Sequence, residues 1–499
     1  MRPLDWVVVA GYFAAVLATG LILGGRQRDA ADYFLGRRGL PWWAIMMSIV
    51  ATETSALTVI SVPGIAARGD LSFLQLSFGY LVGRIGVAAL LLPGYFAGTQ
   101  DTAYQRLEHR FGPLARRVAS GVFLLTRALG DSVRVFATAI PIAIIAWPGQ
   151  TLTAERLAWG VLGVGAVTIV YTWVGGMRAV VWTDVIQLAF YLLGGIITLM
   201  LALDLAGGLP SLARAWEAGK LTVVNPALSF KVTYSLWGGL VGGALLSAAS
   251  HGTDHLLVQR LLAARDLRDA RRALVGSGVV IVLQFALFLL VGTALWLAGA
   301  ARPDLAGDAI YPAFVVEQLP AGLSGLVIAA ILAAAMSTVA SSLNSLASAS
   351  THDFYAPLTG RSDPNHLLRV GRAMTLVWAA VLVGGAMLFR DRDTPVVVLA
   401  LSIASLTYGG LLGAYILGGV WRRAREVDVI VAIIVCVLVM TPVVLGFPVR
   451  WLPGLAWPWF VPLGTGITVG AGMVSSFVGS AASRPLKGSL TVVGGAERP

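Results

Sequence analysis

Stretches of about 20 or more mostly apolar residues recur along nearly the whole chain, and that is the length a helix needs to cross a bilayer. About thirteen can be placed, near 4–24, 41–66, 71–99, 115–147, 152–176, 180–206, 234–260, 271–300, 311–350, 366–390, 395–420, 427–447 and 454–479. Hydrocarbon offers no partner to a backbone amide, so a segment that spans it must close its own hydrogen bonds. The pattern therefore predicts an all-α polytopic membrane protein. Composition points the same way: with 57% hydrophobic and 12% charged residues and a mean hydropathy of +0.81, the chain cannot hide its apolar surface in one soluble core. The spans leave no room for a soluble domain. The longest connection, roughly 204–233, carries Asp204, Arg214, Glu217, Lys220 and Lys231 and reads as a surface cap.

A net charge of +11 would suggest nucleic acid in a soluble chain, but here the basic residues follow a membrane rule. Arg26/Arg28/Arg37/Arg38, Arg106/Arg110/Arg116/Arg117, Arg265/Arg268/Arg271/Arg272, Arg361/Arg369/Arg372 and Arg422/Arg423/Arg425 fall in alternate loops. The opposite loops carry roughly half as many Lys and Arg, so the rich side is cytoplasmic. The N-terminus is then outside and the C-terminus inside, in a cell membrane. No nucleic-acid or obligate protein partner is indicated. The first apolar segment lacks a small-residue cleavage site and reads as a retained span. Cys436 lies in an apolar run, which excludes an internal disulfide and a Cys-based metal site. His251 and His255 have a spacing that could hold zinc, but no HExxH pattern accompanies them.

Polar groups inside the spans are the candidates for function. An ionisable side chain at mid-membrane costs on the order of 3 kcal/mol or more unless it is paired or hydrated. The sequence places Glu53, Arg84, Arg127, Asp131, Arg134 and Asp184 there. Either they lock helices together as ion pairs, or they line a path for a solute. Arg127, Asp131 and Arg134 share one helical face, and one arginine can pair with Asp131. The other then needs Glu53 or the carboxylate of a bound solute, which a planar guanidinium fork holds well. Arg84 has the same options, or it snorkels toward a membrane face.

Two further features stand out. From Ala333 to Tyr355 a ladder of hydroxyls, Ser337, Thr338, Ser341, Ser345 and Ser348, recurs at three- and four-residue steps and sets a wet stripe on an apolar helix. In the second span the run Thr52-Glu53-Thr54-Ser55, followed by Thr58, Ser61 and Pro63-Gly64, offers the backbone alternatives to a regular helix. If the helix opens there, its freed carbonyls can coordinate a cation. The seventh span is weakened in the same way by Gly238, Gly239, Gly242, Gly243 and Gly252 ahead of Thr253-Asp254. Two interrupted spans five apart suggest an inverted repeat.

Four stretches carry a family resemblance: LPWWAIMMSIVATETSA at 40–56, YTWVGGMRAVVWTDVIQ at 171–187, GTDHLLVQRLLAARD at 252–266 and GLVIAAILAAAMSTVASSLNSLASASTHDFY at 325–355. Through them the chain resembles the sodium/solute symporter family. The resemblance implies a LeuT-type fold of two inverted five-helix repeats, with one helix before and two after. The matching division is 1–40 for the first helix and loop, 41–206 for repeat one, 207–233 for an extracellular loop, 234–420 for repeat two and 421–499 for the last two helices and tail. It also implies a Na+ site built from the carbonyls of Ala51, Thr54 and Ala334 and the hydroxyls of Ser337 and Thr338. Oxygen ligands without thiolate suit a hard cation. Some family members hold a second sodium, here matching Asp184 and Ser341, but Ala340 stands where a further serine would help.

The activity implied is sodium-coupled import of a small organic solute by alternating access, with no enzymatic step. Arginines beside acids lean toward a carboxylate-bearing organic acid, amino acid or acidic sugar. The solute is expected near Glu53, Ser55, Thr58, Gln75, Phe78 and Arg134. Glu53 stands where many members carry a neutral residue, so it either tunes sodium affinity or is protonated during transport. Competing readings are a proton-coupled, neutral-sugar or proline symporter of the same fold, and a solute sensor that does not transport. The tail SRPLKGSLTVVGGAERP is too short for a signalling domain, and neither a hydrolytic triad nor a filter-like glycine loop is present at credible spacing.

Overall fold

A computed structural model describes residues 2–98, 100–147, 150, 153–388, 396–444 and 454–482. The expected span edges at 99, 152, 390, 395 and 447, and the tail from Ser483 on, lie outside the described residues. The principal helices are α1 (Pro3–Gly24), α2 (Trp42–Glu53), α3 (Ala56–Arg68), α4 (Leu74–Gly86) and α5 (Pro113–Ala146). Then come α6 (Ala154–Leu205), α7 (Gly243–Gly252), α8 (His255–Leu262), α9 (Leu267–Leu297) and α10 (Gly307–Gln318). The last are α11 (Leu323–Ala349), α12 (Pro364–Leu388), α13 (Val396–Val420), α14 (Glu426–Val444) and α15 (Phe460–Ala482). No strand occurs among the described residues.

By length and composition nine helices among the described residues can cross a membrane, or ten if the bent pair α2 and α3 counts as one span. The count of thirteen is therefore not confirmed. Part of the difference is α6, which runs through two expected spans and turns at Gly176, where φ is +56°. A side chain strongly disfavours that backbone, so the glycine sets the corner. One expected boundary is also corrected. The ninth segment, read as 311–350, begins with a separate helix, α10, and α11 starts only after Pro320 and Gly322, whose φ is +87°. Proline cannot continue the hydrogen-bond ladder and the left-handed glycine reverses the chain.

Both interrupted spans are interrupted. Between α2 and α3 the axis bends by 60° at Thr54 (φ −83°, ψ 88°) and Ser55 (φ −78°, ψ 169°). The Ser55 amide donates to the Glu53 carbonyl at 3.1 Å and so turns away from Ala51, its acceptor in a regular helix. The opening lies in the polar run itself, and α3 continues through Pro63 to Arg68. Between α7 and α8 the chain leaves helical geometry at Thr253 and Asp254, and the Asp254 carboxylate caps α8 by accepting from the Leu256 amide at 2.9 Å.

α11 is the hub. Of its most apolar window 89% is buried within the molecule, and it packs along α6 while facing α2, α3, α5 and α8. The loop after α6 lies over the ends of α3 and α4: Lys220 Nζ donates to the Ala67 carbonyl at 2.9 Å, and the Leu71 amide to the Thr222 carbonyl at 3.1 Å. It is a cap, as expected from its composition.

Candidate functional site

The α2–α3 opening faces α11. Ala51, Thr54, Ala334 and Ser337 are fully buried and Thr338 is 2% exposed, so none of these groups points at lipid. Thr338 Oγ1 lies 3.5 Å from the Thr52 carbonyl and 3.3 Å from the Ala334 carbonyl. Thr52, in the segment that opens, and the α11 hydroxyls of Thr338 and Ser341 therefore sit on two sides of one narrow seam. Ser337 Oγ donates to Asp184 Oδ1 at 2.6 Å. A hydroxyl that donates its hydrogen keeps its lone pairs, so Ser337 can still accept a cation. Thr54 Oγ1 accepts from Gln284 Nε2 at 2.6 Å, which fixes the turn from α9.

The hydroxyl ladder does not form one wet stripe. Its members meet different helices or, at Ser345, their own backbone. Ser341 Oγ and Thr52 Oγ1 are 3.0 Å apart, Ser348 Oγ is 3.1 Å from His255 Nε2, and Ser345 Oγ donates to the Ser342 carbonyl at 3.1 Å. Ser342, outside the ladder, donates to Asp131 Oδ2 at 2.6 Å. Each pairing removes the desolvation cost of a buried hydroxyl.

Asp184, on α6, joins four helices. Its Oδ2 accepts from Ser48 Oγ at 2.5 Å and Thr52 Oγ1 at 3.5 Å on α2 and from Arg260 Nη2 at 3.4 Å on α8, while Oδ1 takes Ser337 on α11. Arg260, also fully buried, donates through Nε to Ser48 Oγ at 2.9 Å, through Nη1 to the Leu256 carbonyl at 2.8 Å, and to Ser341 Oγ. From sequence Arg260 looks like a rim residue, because it stands at the end of the seventh apolar segment. The break at Thr253–Asp254 is what brings it inward.

A cavity beside this seam is lined by Glu53, Ser55, Thr58 and Arg134 from the expected solute set, and by Thr52, Phe73, Tyr80, Arg127, Phe285 and Tyr408, which complete much of its wall. Gln75 and Phe78 are not among its lining residues. The Gln75 amide is tied to the capping loop and to its own segment instead: Oε1 accepts from the Asn225 amide at 3.1 Å and Nε2 donates to the Ser72 carbonyl at 3.1 Å.

The charges around the cavity are paired, though not as the sequence suggests. Arg84 is fully buried rather than snorkelling, and it forms an ion pair with Glu53 while donating to Ser277 Oγ at 2.8 Å. Arg127 pairs with Asp254, a residue noted in sequence only for the helix break, and donates to Tyr408 Oη at 2.7 Å. Asp131 is shared: its Oδ1 lies 3.4 Å from Arg127 Nη1 and 3.3 Å from Arg134 Nη1. Among the described residues Arg134 is the guanidinium of the three with only a long, shared contact, and its side chain is 18% exposed against 6% for Arg127. His251 and His255 fall on either side of the break, so their spacing no longer describes one helix. Among the described residues no group of three His, Cys, Asp or Glu could hold a metal ion.

Comparison with known proteins fits this geometry. The sodium:solute symporter family model matches residues 33–436. A sodium/sialic acid symporter of Proteus mirabilis is 29% identical over 452 residues, covering 87% of this chain and 88% of its own. Another, of Aliivibrio fischeri, is 26% identical over 446 residues, covering 86% of each chain. A solved structure of a Na+-coupled sialic acid symporter, substrate-bound and outward-open, superposes with a TM-score of 0.84 at 25% identity, over 96% of this chain and 98% of that one. The fold is the all-helical, LeuT-type architecture that the resemblance implied. On these grounds the chain belongs to the sodium:solute symporter family, as a multi-pass membrane transporter coupled to sodium and not an enzyme.

Proposed function

We propose that the chain imports a small solute bearing a carboxylate, with an acidic sugar such as sialic acid the first candidate. The observation that carries this is Arg134, which lines the cavity and, among the described residues, has only a shared contact at 3.3 Å to Asp131. Arg84 and Arg127 each own a carboxylate, so a solute anion has one guanidinium to engage bidentately. The names of the two bacterial relatives favour the same class.

The sodium site of this reading is the carbonyls of Ala51, Thr54 and Ala334 with the hydroxyls of Ser337 and Thr338. The Ser55 amide's turn to Glu53 and the approach of Thr338 to the same segment support it. Because α2–α3 and α11 lie in different repeats under the division 41–206 and 234–420, an ion there ties the repeats together. Sodium binds first, the outward-facing cavity fills, and rocking of one bundle against the other exposes both to the cytoplasm. The N-terminus then lies outside and the C-terminus, with the tail, inside the cell membrane, in keeping with the basic loops.

The test is counterflow of labelled N-acetylneuraminic acid, proline, glucose and lactate in proteoliposomes with and without sodium. Sodium-dependent exchange of a carboxylate solute, lost in Arg134→Ala while the protein remains folded in the membrane, is the expected result. Exchange of glucose alone would overturn the carboxylate reading.

A further inference from the structure

At the membrane face that carries the basic loops, α1, α6, α12 and the short helix Ala30–Leu35 meet in one corner. Tyr33 pins it: Oη donates to the Thr172 carbonyl of α6 at 3.3 Å and lies 3.2 Å from Thr375 Oγ1 of α12. One turn before Thr375, the Arg372 guanidinium carbon lies 5.8 Å from the centre of the Tyr33 ring and 5.9 Å from that of Trp173. Aromatic faces steady a cation without neutralising it. No protein anion does so either. Among the described residues Arg372 has no hydrogen bond or ion pair, and its Nε is buried without an acceptor. The acids of the corner are taken: Asp32 lies 3.5 Å from Arg37 Nε and 3.7 Å from Arg178 Nε, and Asp29 lies 3.5 Å from Arg37 Nη2. Arg369, three residues earlier on α12, is exposed and adds to the surplus of positive charge.

The surface deeper in the membrane is apolar. α12 runs inward from Pro364, so Leu376 stands one turn below Arg372 on the same side. On α6, Val170 stands one turn below Trp173, and all three apolar side chains are exposed. An exposed indole beside a guanidinium marks the level of the lipid headgroups. We infer that Arg372, framed by Tyr33 and Trp173, binds the phosphate of an anionic membrane lipid whose acyl chains lie along Leu376 and Val170. A phosphodiester brings two unesterified oxygens to the planar fork. The amine of a zwitterionic headgroup would be set among arginines, and a free phosphate would cover none of the apolar surface. This site is independent of which solute or ion the chain carries.

The test is native mass spectrometry of the purified full chain in detergent, titrated with phosphatidylglycerol, phosphatidylcholine or inorganic phosphate. Wild type is expected to retain phosphatidylglycerol in preference to phosphatidylcholine. The apparent affinity for its tightest phosphatidylglycerol should fall about fivefold in Arg372→Ala, the factor one arginine contributes near an anionic surface. Arg361→Ala, at an exposed arginine of the same basic loop, should leave that affinity unchanged. Arg372→Gln, which keeps the stem between the rings, replaces the alanine variant if that one does not fold. Equal retention of the two lipids by wild type, or equal losses at positions 361 and 372, would overturn the site. Displacement of phosphatidylglycerol by inorganic phosphate alone would overturn the lipid as its occupant.

Discussion

In the sodium site proposed above, single side chains at the seam carry the ion. Ser337→Ala and Thr338→Ala each remove one of about five oxygen ligands, and the sodium concentration for half-maximal uptake should rise roughly tenfold, equivalent to about 1.4 kcal/mol. A sodium titration of uptake in each variant checks this, and unchanged sodium dependence in both would remove the site. The Arg127–Asp254 pair is structural by contrast. Arg127→Met strands a buried carboxylate and should destabilise the protein by about 3–5 kcal/mol, while adding Asp254→Asn should recover much of that loss. Thermal unfolding in detergent of the two singles and the double measures the coupling. Sequence reading found Arg127, Asp131 and Arg134 because they share one helix face. It could not find Asp254 as the partner of Arg127, nor Arg260 as the partner of Asp184, since those contacts join residues 127 and 76 positions apart and periodicity carries no information across helices.

At the scale of helices, the break between α2 and α3 shows why glycine is an incomplete signal. Thr54 and Ser55 leave the helix with negative φ, a conformation open to any residue, so only the polar run marks the place. Gly176 is the opposite case. Its φ of +56° and ψ of −150° belong to glycine, and a methyl there would meet the Tyr33 carbonyl oxygen at 2.5 Å. Gly176→Ala should therefore cost about 1–3 kcal/mol or more. Gly11→Ala, in the interior of α1 with nothing within 4 Å of the added carbon, should be neutral or stabilising by up to about 1 kcal/mol. Unfolding midpoints of the two variants in the same detergent give the comparison. The apolar runs made nearly every helix legible, but the α10–α11 boundary was hidden because Pro320 and Gly322 interrupt a stretch whose hydropathy stays high on both sides.

For the whole molecule, the coupling ratio and the solute charge together fix how it responds to voltage. At one sodium per cycle a carboxylate solute moves no net charge, so imposing about 100 mV, negative inside, should change its accumulation less than twofold. A neutral solute with the same ion would gain about 2.3 kcal/mol, or roughly 50-fold. Potassium–valinomycin clamps on proteoliposomes under a fixed sodium gradient distinguish the two. The burial of α11 bears on how such a molecule is made. A helix that ends with 89% of its apolar window out of lipid must enter the bilayer before that shelter is complete, carrying its serines with it. Its polar contacts on α2, α5, α6 and α8 are all synthesised earlier, so the newly inserted helix meets ready partners as it leaves the translocon. A circular permutation placing 323–359 ahead of residue 42 would present those hydroxyls to bare lipid and stall assembly at that step.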